Sequence, residues 1–218
     1  EARRAAGDER TAACLEQVEH RPESLSEIGL SFAPSRPDEM LWAAGAFEGC
    51  HSWMGIGDTM LRQWPAPWFR PVIEKALLQG PFDKRAPVTD LLRAWARHDP
   101  EGLWEWAAQV DDAGWAEEAR NQSAYIRAWH RGEEVMRGMA AGEFAGLSAE
   151  NDSHIRHTAL TNWTASAPLT ALDFLATLSP TDTVCFNESR SSYVNLAMRQ
   201  LAQDAPEDGA TWVRAHPE

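Results

Sequence analysis

A short string built on tryptophan returns along this chain at nearly even intervals: Leu61-Arg-Gln-Trp64, Leu92-Arg-Ala-Trp95, Ile126-Arg-Ala-Trp129 and Leu160-Thr-Asn-Trp163. A fifth copy, Met198-Arg-Gln-Leu201, carries leucine in the tryptophan position. The anchors are 31, 34, 34 and 38 residues apart, a spacing that suits a helix-turn-helix repeat of about 34 residues. Such a period restricts the chain to architectures in which small units stack in a row. A single helix pair cannot cover its own apolar faces, so each unit needs its neighbours.

The pattern extends on both sides of the anchor. Leu91 and Leu92, Tyr125 and Ile126, Ala159 and Leu160, and Ala197 and Met198 stand three and four residues before it. Val88, Ile155 and Val194 stand seven or eight before it, so together they trace one face of a first helix ending near the anchor. Five residues after the anchor comes Pro100, Pro168 or Pro206. Proline is well placed in the first turn of a helix, where its missing N–H costs nothing. Asp99 stands at the N-cap position, with Ser166 and Asp204 one residue earlier in their units. A second helix therefore starts after a very tight turn. Its inward positions are Leu103, Trp106, Ala107 and Val110, then Ala171, Phe174, Leu175 and Leu178, then Gly209, Trp212, Val213 and His216. The Trp129 unit is degenerate: Glu133-Glu134 stands in place of the proline, and Gly138, Gly142 and Gly146 weaken its second helix. The extra residues of the longest interval fall between Pro180 and Arg190.

Composition agrees with helices. The chain has 218 residues, among them 35 Ala and 11 Trp but only 13 Val and Ile together, and alanine favours helix where β-branched residues favour strand. The expectation is an all-α chain, an α-solenoid of about six stacked antiparallel helix pairs forming one helical-repeat domain over 1–218. Residues 1–60 hold irregular first repeats, in which the registers of Trp42 and Trp53 conflict, and 61–218 hold the clearer ones. The chain begins at Glu1 and ends directly after a second helix, which leads to the expectation of a piece of a longer protein.

The Trp95-Ala-Arg-His-Asp-Pro100 run, with Trp104 and Trp106 after it, resembles the degenerate helical-pair repeats of some large bacterial proteins, of the form W-A-x-x-D-P-x-x-A-x-x-W. More broadly, residues 55 to 218 are similar to tetratricopeptide- and HEAT-like α-solenoids, without the glycine and tyrosine positions of a true tetratricopeptide motif. The resemblance implies a superhelix of stacked helix pairs with a protein-binding or scaffolding role, and it brings no catalytic residues.

The net charge of −13 argues against a nucleic-acid partner, which selects a basic face. No stretch approaches the roughly 18 apolar residues of a membrane span. Cys14, Cys50 and Cys185 are too far apart for a metal or redox motif. Four of the five asparagines sit in N-x-S/T triplets (at Asn121, Asn151, Asn162 and Asn187), which the place of Asn162 beside a core Trp and of Asn121 within a helical stretch makes a coincidence rather than glycosylation sites. His154 and His157, with Glu150 and Asp152, have the i, i+3 spacing of a metal pair. Yet the Asn151-Asp-Ser153 run reads as a helix cap, with Ile155 inward and both histidines on flanking faces. Cys50-His51 lie about 100° apart on a helix and cannot act together. No catalytic or phosphate-binding motif is present.

Three tryptophans, Trp68, Trp104 and Trp115, fall outside the anchor register and are the candidate partner-binding residues, because aromatic side chains make effective interface anchors. Trp104 has a rival use in packing, since Leu172 and Ala210 occupy the equivalent positions. The expected function is a non-enzymatic helical-repeat scaffold that binds a protein or peptide, with no metal and no cofactor. The alternative is an all-α enzyme or metal-binding domain built on His154/His157 or Cys50/His51. The sequence assigns no compartment.

Overall fold

The computed structural model describes residues 61–62, 64–78, 86–178, 183–185 and 188–216. The irregular first repeats, with Trp42, Trp53, Cys50 and His51, lie outside the described residues. Among the described residues the protein is all-helical, with nine α-helices and one very short hairpin. The chain divides into two compact units, residues 1–99 and 100–218, the division falling inside the Asp99-Pro100 turn.

In the first unit a 3-10 turn, Ala66–Trp68, precedes α1 (Phe69–Leu78) and α2 (Ala86–His98). Pro65 and Pro67 forbid a continuous helix here, and the Trp68 N–H closes the turn on the Pro65 carbonyl at 2.9 Å. Trp64 is buried against Phe69, with ring centres 5.5 Å apart. The Phe69 ring in turn stacks on His98. On α2 the buried residues Val88, Leu91, Leu92 and Trp95 recur at i, i+3, i+4 and i+7, as an inward helical stripe requires.

The second unit alternates short and long helices: α3 (Pro100–Ala107), α4 (Ala113–His130), α5 (Gly132–Ala141), α6 (Ala149–Ser166), α7 (Pro168–Ala176), α8 (Arg190–Asp204) and α9 (Pro206–Ala215). The long helices lie side by side in chain order, α4 on α6 and α6 on α8, and each short helix packs on long ones next to it. Ile155, Ala159, Leu160 and Trp163 of α6 sit at the centre of the main core, with Val135 and Met136 of α5, Leu175 of α7 and Tyr193 of α8. Leu172, Ala197 and Leu201 form a second cluster towards α9. Between α7 and α8, where the long interval is, β1 (Thr183–Cys185) and β2 (Glu188–Ser189) pair antiparallel. The sequence pattern contains no alternation that announces this hairpin.

Local chemistry accounts for the helix ends. Asp112 caps α4 by accepting the N–H groups of Gly114 and Trp115 at 2.9 and 3.0 Å. On α6 the cap is Ser148, which accepts from the Asn151 N–H. The helix therefore starts before the Asn151–Ser153 run, which is its first turn rather than its cap. The turns between paired helices share one geometry. The linking residues Arg131, Ala167 and Ala205 adopt φ/ψ of −137/53, −145/67 and −151/66. Each donates its N–H to the carbonyl four residues back, on Arg127, Trp163 and Leu201, and Asp99 does the same to Trp95. Ahead of Pro100, Pro168 and Pro206 this departure from helical geometry is forced, because proline bars the preceding residue from the α region.

That shared turn corrects the register of one unit. Counted back from the turn, the residue matching Trp95, Trp163 and Leu201 is Arg127, not Trp129. The anchors Trp64, Trp95 and Trp163 are 2%, 4% and 2% exposed, whereas Trp129 is 54% exposed. Helix α4 instead buries Ala119, Ser123, Ala124 and Ala128, which turns the face carrying Trp129 to solvent. The helix-starting position held elsewhere by proline is Gly132. It lies against α6 so closely that a Cβ there would overlap the Ala159 carbonyl.

Two further expectations are only partly met. Of the inward positions assigned to the last helix, Gly209 is buried and Trp212 half-buried, while Val213 and His216 are exposed. In α7, Phe174 is half-buried and Leu172 fully buried, and Leu178, just past the helix, is half-buried.

Candidate interaction surface

Of the three tryptophans singled out from the sequence, Trp68 belongs to the first unit and Trp104 and Trp115 to the second. Trp68 ends the 3-10 turn of the first unit, half-buried, with its ring 6.3 Å from that of Trp64. Trp104 on α3 packs edge-on against Phe144, ring centres 5.3 Å apart, and joins the main core. Trp115 sits half-buried in the first turn of α4, at the Asp112 cap. Packing thus accounts for Trp104.

Arg127 explains why the sequence register slips. In the α6–α7 pair, Trp163 packs on the Phe174 ring at 5.2 Å, and its indole N–H donates to Thr170. In the α4–α5 pair, the position equivalent to Phe174 is Gly138, and the loop residue Phe144 lies beside it, 2.8 Å from where a Cβ would be. Arg127 takes the place of the indole, its guanidinium 4.7 Å from the Phe144 ring centre. A cation–π contact replaces an aromatic pair.

Carboxylates surround that guanidinium. Arg127 donates to Glu134 of α5 at 2.8 Å and lies 3.9 Å from Glu101 of α3. Arg131, at the turn, donates to both Glu101 and Glu134. Burial is the largest single influence on Glu101 and pushes its carboxyl up. The Arg131 hydrogen bond, a hydrogen bond with the Glu101 backbone and the charges of Arg131 and Arg127 together outweigh it and hold the carboxyl below its ordinary value. The hydrogen bond that Arg131 donates to Glu101 raises the Arg131 guanidinium correspondingly.

Trp129 lies away from this cluster. At 100° per residue, Glu118, Gln122, Tyr125 and Trp129 share one stripe of α4, with Arg120 and Arg127 on the opposite side. The Tyr125 ring stacks nearly parallel on the exposed His154 of α6, centres 5.6 Å apart and planes at 8°. The Gln122 amide donates to Glu118 at 2.8 Å. His157, one turn on, turns to the other neighbour and shares a 2.9 Å hydrogen bond with the Tyr193 hydroxyl of α8. The two histidines therefore diverge, each engaged with a tyrosine of a different helix, and Asp152 is held by Arg156 at 2.6 Å. Among the described residues no three His, Cys, Asp or Glu side chains are grouped to hold a metal ion. No helix among them is long and apolar enough to cross a membrane.

No family model matches this chain, and no curated protein or solved structure gives a significant match. Trp129 and Tyr125 escaped the sequence argument because the string Ile126-Arg-Ala-Trp129 copies Leu92-Arg-Ala-Trp95 so closely. The signal that locates them is the turn: Gly132 two residues after His130, followed by two glutamates, marks a helix start.

Proposed function

We propose that this protein is a non-enzymatic helical-repeat scaffold, an α-solenoid of about six stacked helix pairs related to the degenerate W-A-x-x-D-P repeats, which binds a protein or peptide. Three recurring turns of one geometry and the side-by-side order of α4, α6 and α8 support the repeat. The observation that carries the binding role is Trp129. A tryptophan 54% exposed on an ordered helix keeps a large apolar area in water, which association with a partner would remove. Trp68 in the first unit and Trp115 on α4, both half-buried, remain candidate partner-binding residues. Trp129 joins them as a candidate, while Trp104 is taken up by packing on Phe144.

The divergent contacts of His154 and His157 favour a packing role for both over a metal or catalytic one. A peptide-display selection against the whole chain tests the reading. Enrichment of a consensus that binds at micromolar concentration and loses at least tenfold in affinity with Trp129→Ser is the expected result. Failure of any sequence to enrich would overturn it.

A further inference from the structure

We propose that the face of α4 and α6 around Trp129 takes an extended basic segment of a partner, with one arginine or lysine over the Trp129 ring and a second cation at Glu118 and Glu150. The proposal rests on the scaffold reading above and specifies the chemistry of its partner.

Charge is sorted around α4. The stripe that exposes Trp129 carries Glu118, while Arg120 and Arg127 project from the far side of the helix; Arg127 is spent on Glu134 and Phe144. On α6 the residues Glu150, His154, Thr161 and Ala165 fall within one stripe by the same helical arithmetic. The Tyr125–His154 stack joins the two stripes into one surface. Arg156 projects about 200° from His154 and is paired with Asp152. The exposed basic residue Arg199 belongs to α8, one helix further along.

The resulting surface has an electron-rich indole at one end and carboxylates at the other. An indole face attracts a guanidinium or ammonium group, and a chain of net charge −13 steers basic partners towards it. Eleven residues separate Glu118 from Trp129, about 16 Å of helix. An extended peptide covers that distance in about five residues. The recognised segment therefore carries two cations about five residues apart, with uncharged residues between them over Gln122, Tyr125 and His154.

The test uses isothermal titration calorimetry on the whole chain with three nine-residue peptides. One has arginines five positions apart, one has glutamines there and one has glutamates. The arginine peptide is expected to bind at least tenfold more tightly than the glutamine peptide at 50 mM salt, with the advantage shrinking at 500 mM as screening grows. Trp129→Ser is expected to lose tenfold or more. Glu118→Gln with Glu150→Gln is expected to lose several-fold together with most of the salt dependence. Circular dichroism confirms that the variants fold. Equal binding of all three peptides, still lost in Trp129→Ser, would overturn the cationic partner and leave the scaffold reading standing. Binding of none of them, with no selected peptide binding either, would remove both. A concentration-dependent dimer abolished by Trp129→Ser would instead make a second copy the occupant and overturn the proposal.

Discussion

Two tryptophans in equivalent sequence strings have opposite fates, and the difference sits in single side chains. Trp163 is 2% exposed, stacked on Phe174 and hydrogen-bonded to Thr170. Truncating it leaves a cavity the size of an indole, so Trp163→Ala is expected to cost about 3–5 kcal/mol in urea unfolding. Trp129→Ala removes a ring that is half in water and should stay within about 0.5 kcal/mol. Equal losses at the two sites would contradict the register assigned to α4. Gly132 offers a third residue-scale check. A methyl group there meets the Ala159 carbonyl, and neither backbone can retreat without opening the α5–α6 contact. Gly132→Ala should lower stability by about 1–3 kcal/mol, despite the higher helix propensity of alanine. A melting temperature equal to or above that of the parent would show that the approach is not so tight.

At the scale of the element, much of the helix plan was legible. Prolines one residue past each turn located the starts of α3, α7 and α9, and the 3.6-residue recurrence of Leu91, Leu92 and Trp95 located the inward face of α2. The α4–α5 pair was not legible, for a physical reason. Its seam uses Arg127, a loop phenylalanine and two glutamates from other helices in place of an apolar pair, and charged residues in a string read as solvent-facing. Trp104 illustrates the same limit: its partner Phe144 is forty residues away, beyond any local pattern.

This electrostatic seam makes a pH prediction. Glu101 has its carboxyl held below the ordinary value, so its ionised form is favoured by folding. That contribution is fully present above about pH 4.3, the value of an unperturbed glutamate. It is lost as pH falls through the lower value of the folded state. The stability gap between the parent and Glu101→Gln should therefore be constant from pH 7 to 5 and close below pH 4. With 49% of the Glu101 side chain exposed, solvent screening limits the gap to about 1 kcal/mol. A gap that widened on acidification would contradict the arrangement.

At the scale of the whole molecule, residues 100–218 form a compact unit with their own core. Produced alone, this unit should keep its helical circular-dichroism signal and a cooperative melt, and a non-cooperative melt would deny it that independence. The long helices α4, α6 and α8 lie side by side, and Trp129 of α4 is an exposed large apolar side chain among them, as is Leu196 of α8. The function proposed for the protein depends on that outward placement. Hydroxyl-radical footprinting read by mass spectrometry reports it residue by residue on the intact chain. Trp129 is predicted to oxidise several times faster than Trp95 and Trp163. Protection of Trp129 to the level of those two would place it in a buried seam and contradict the account.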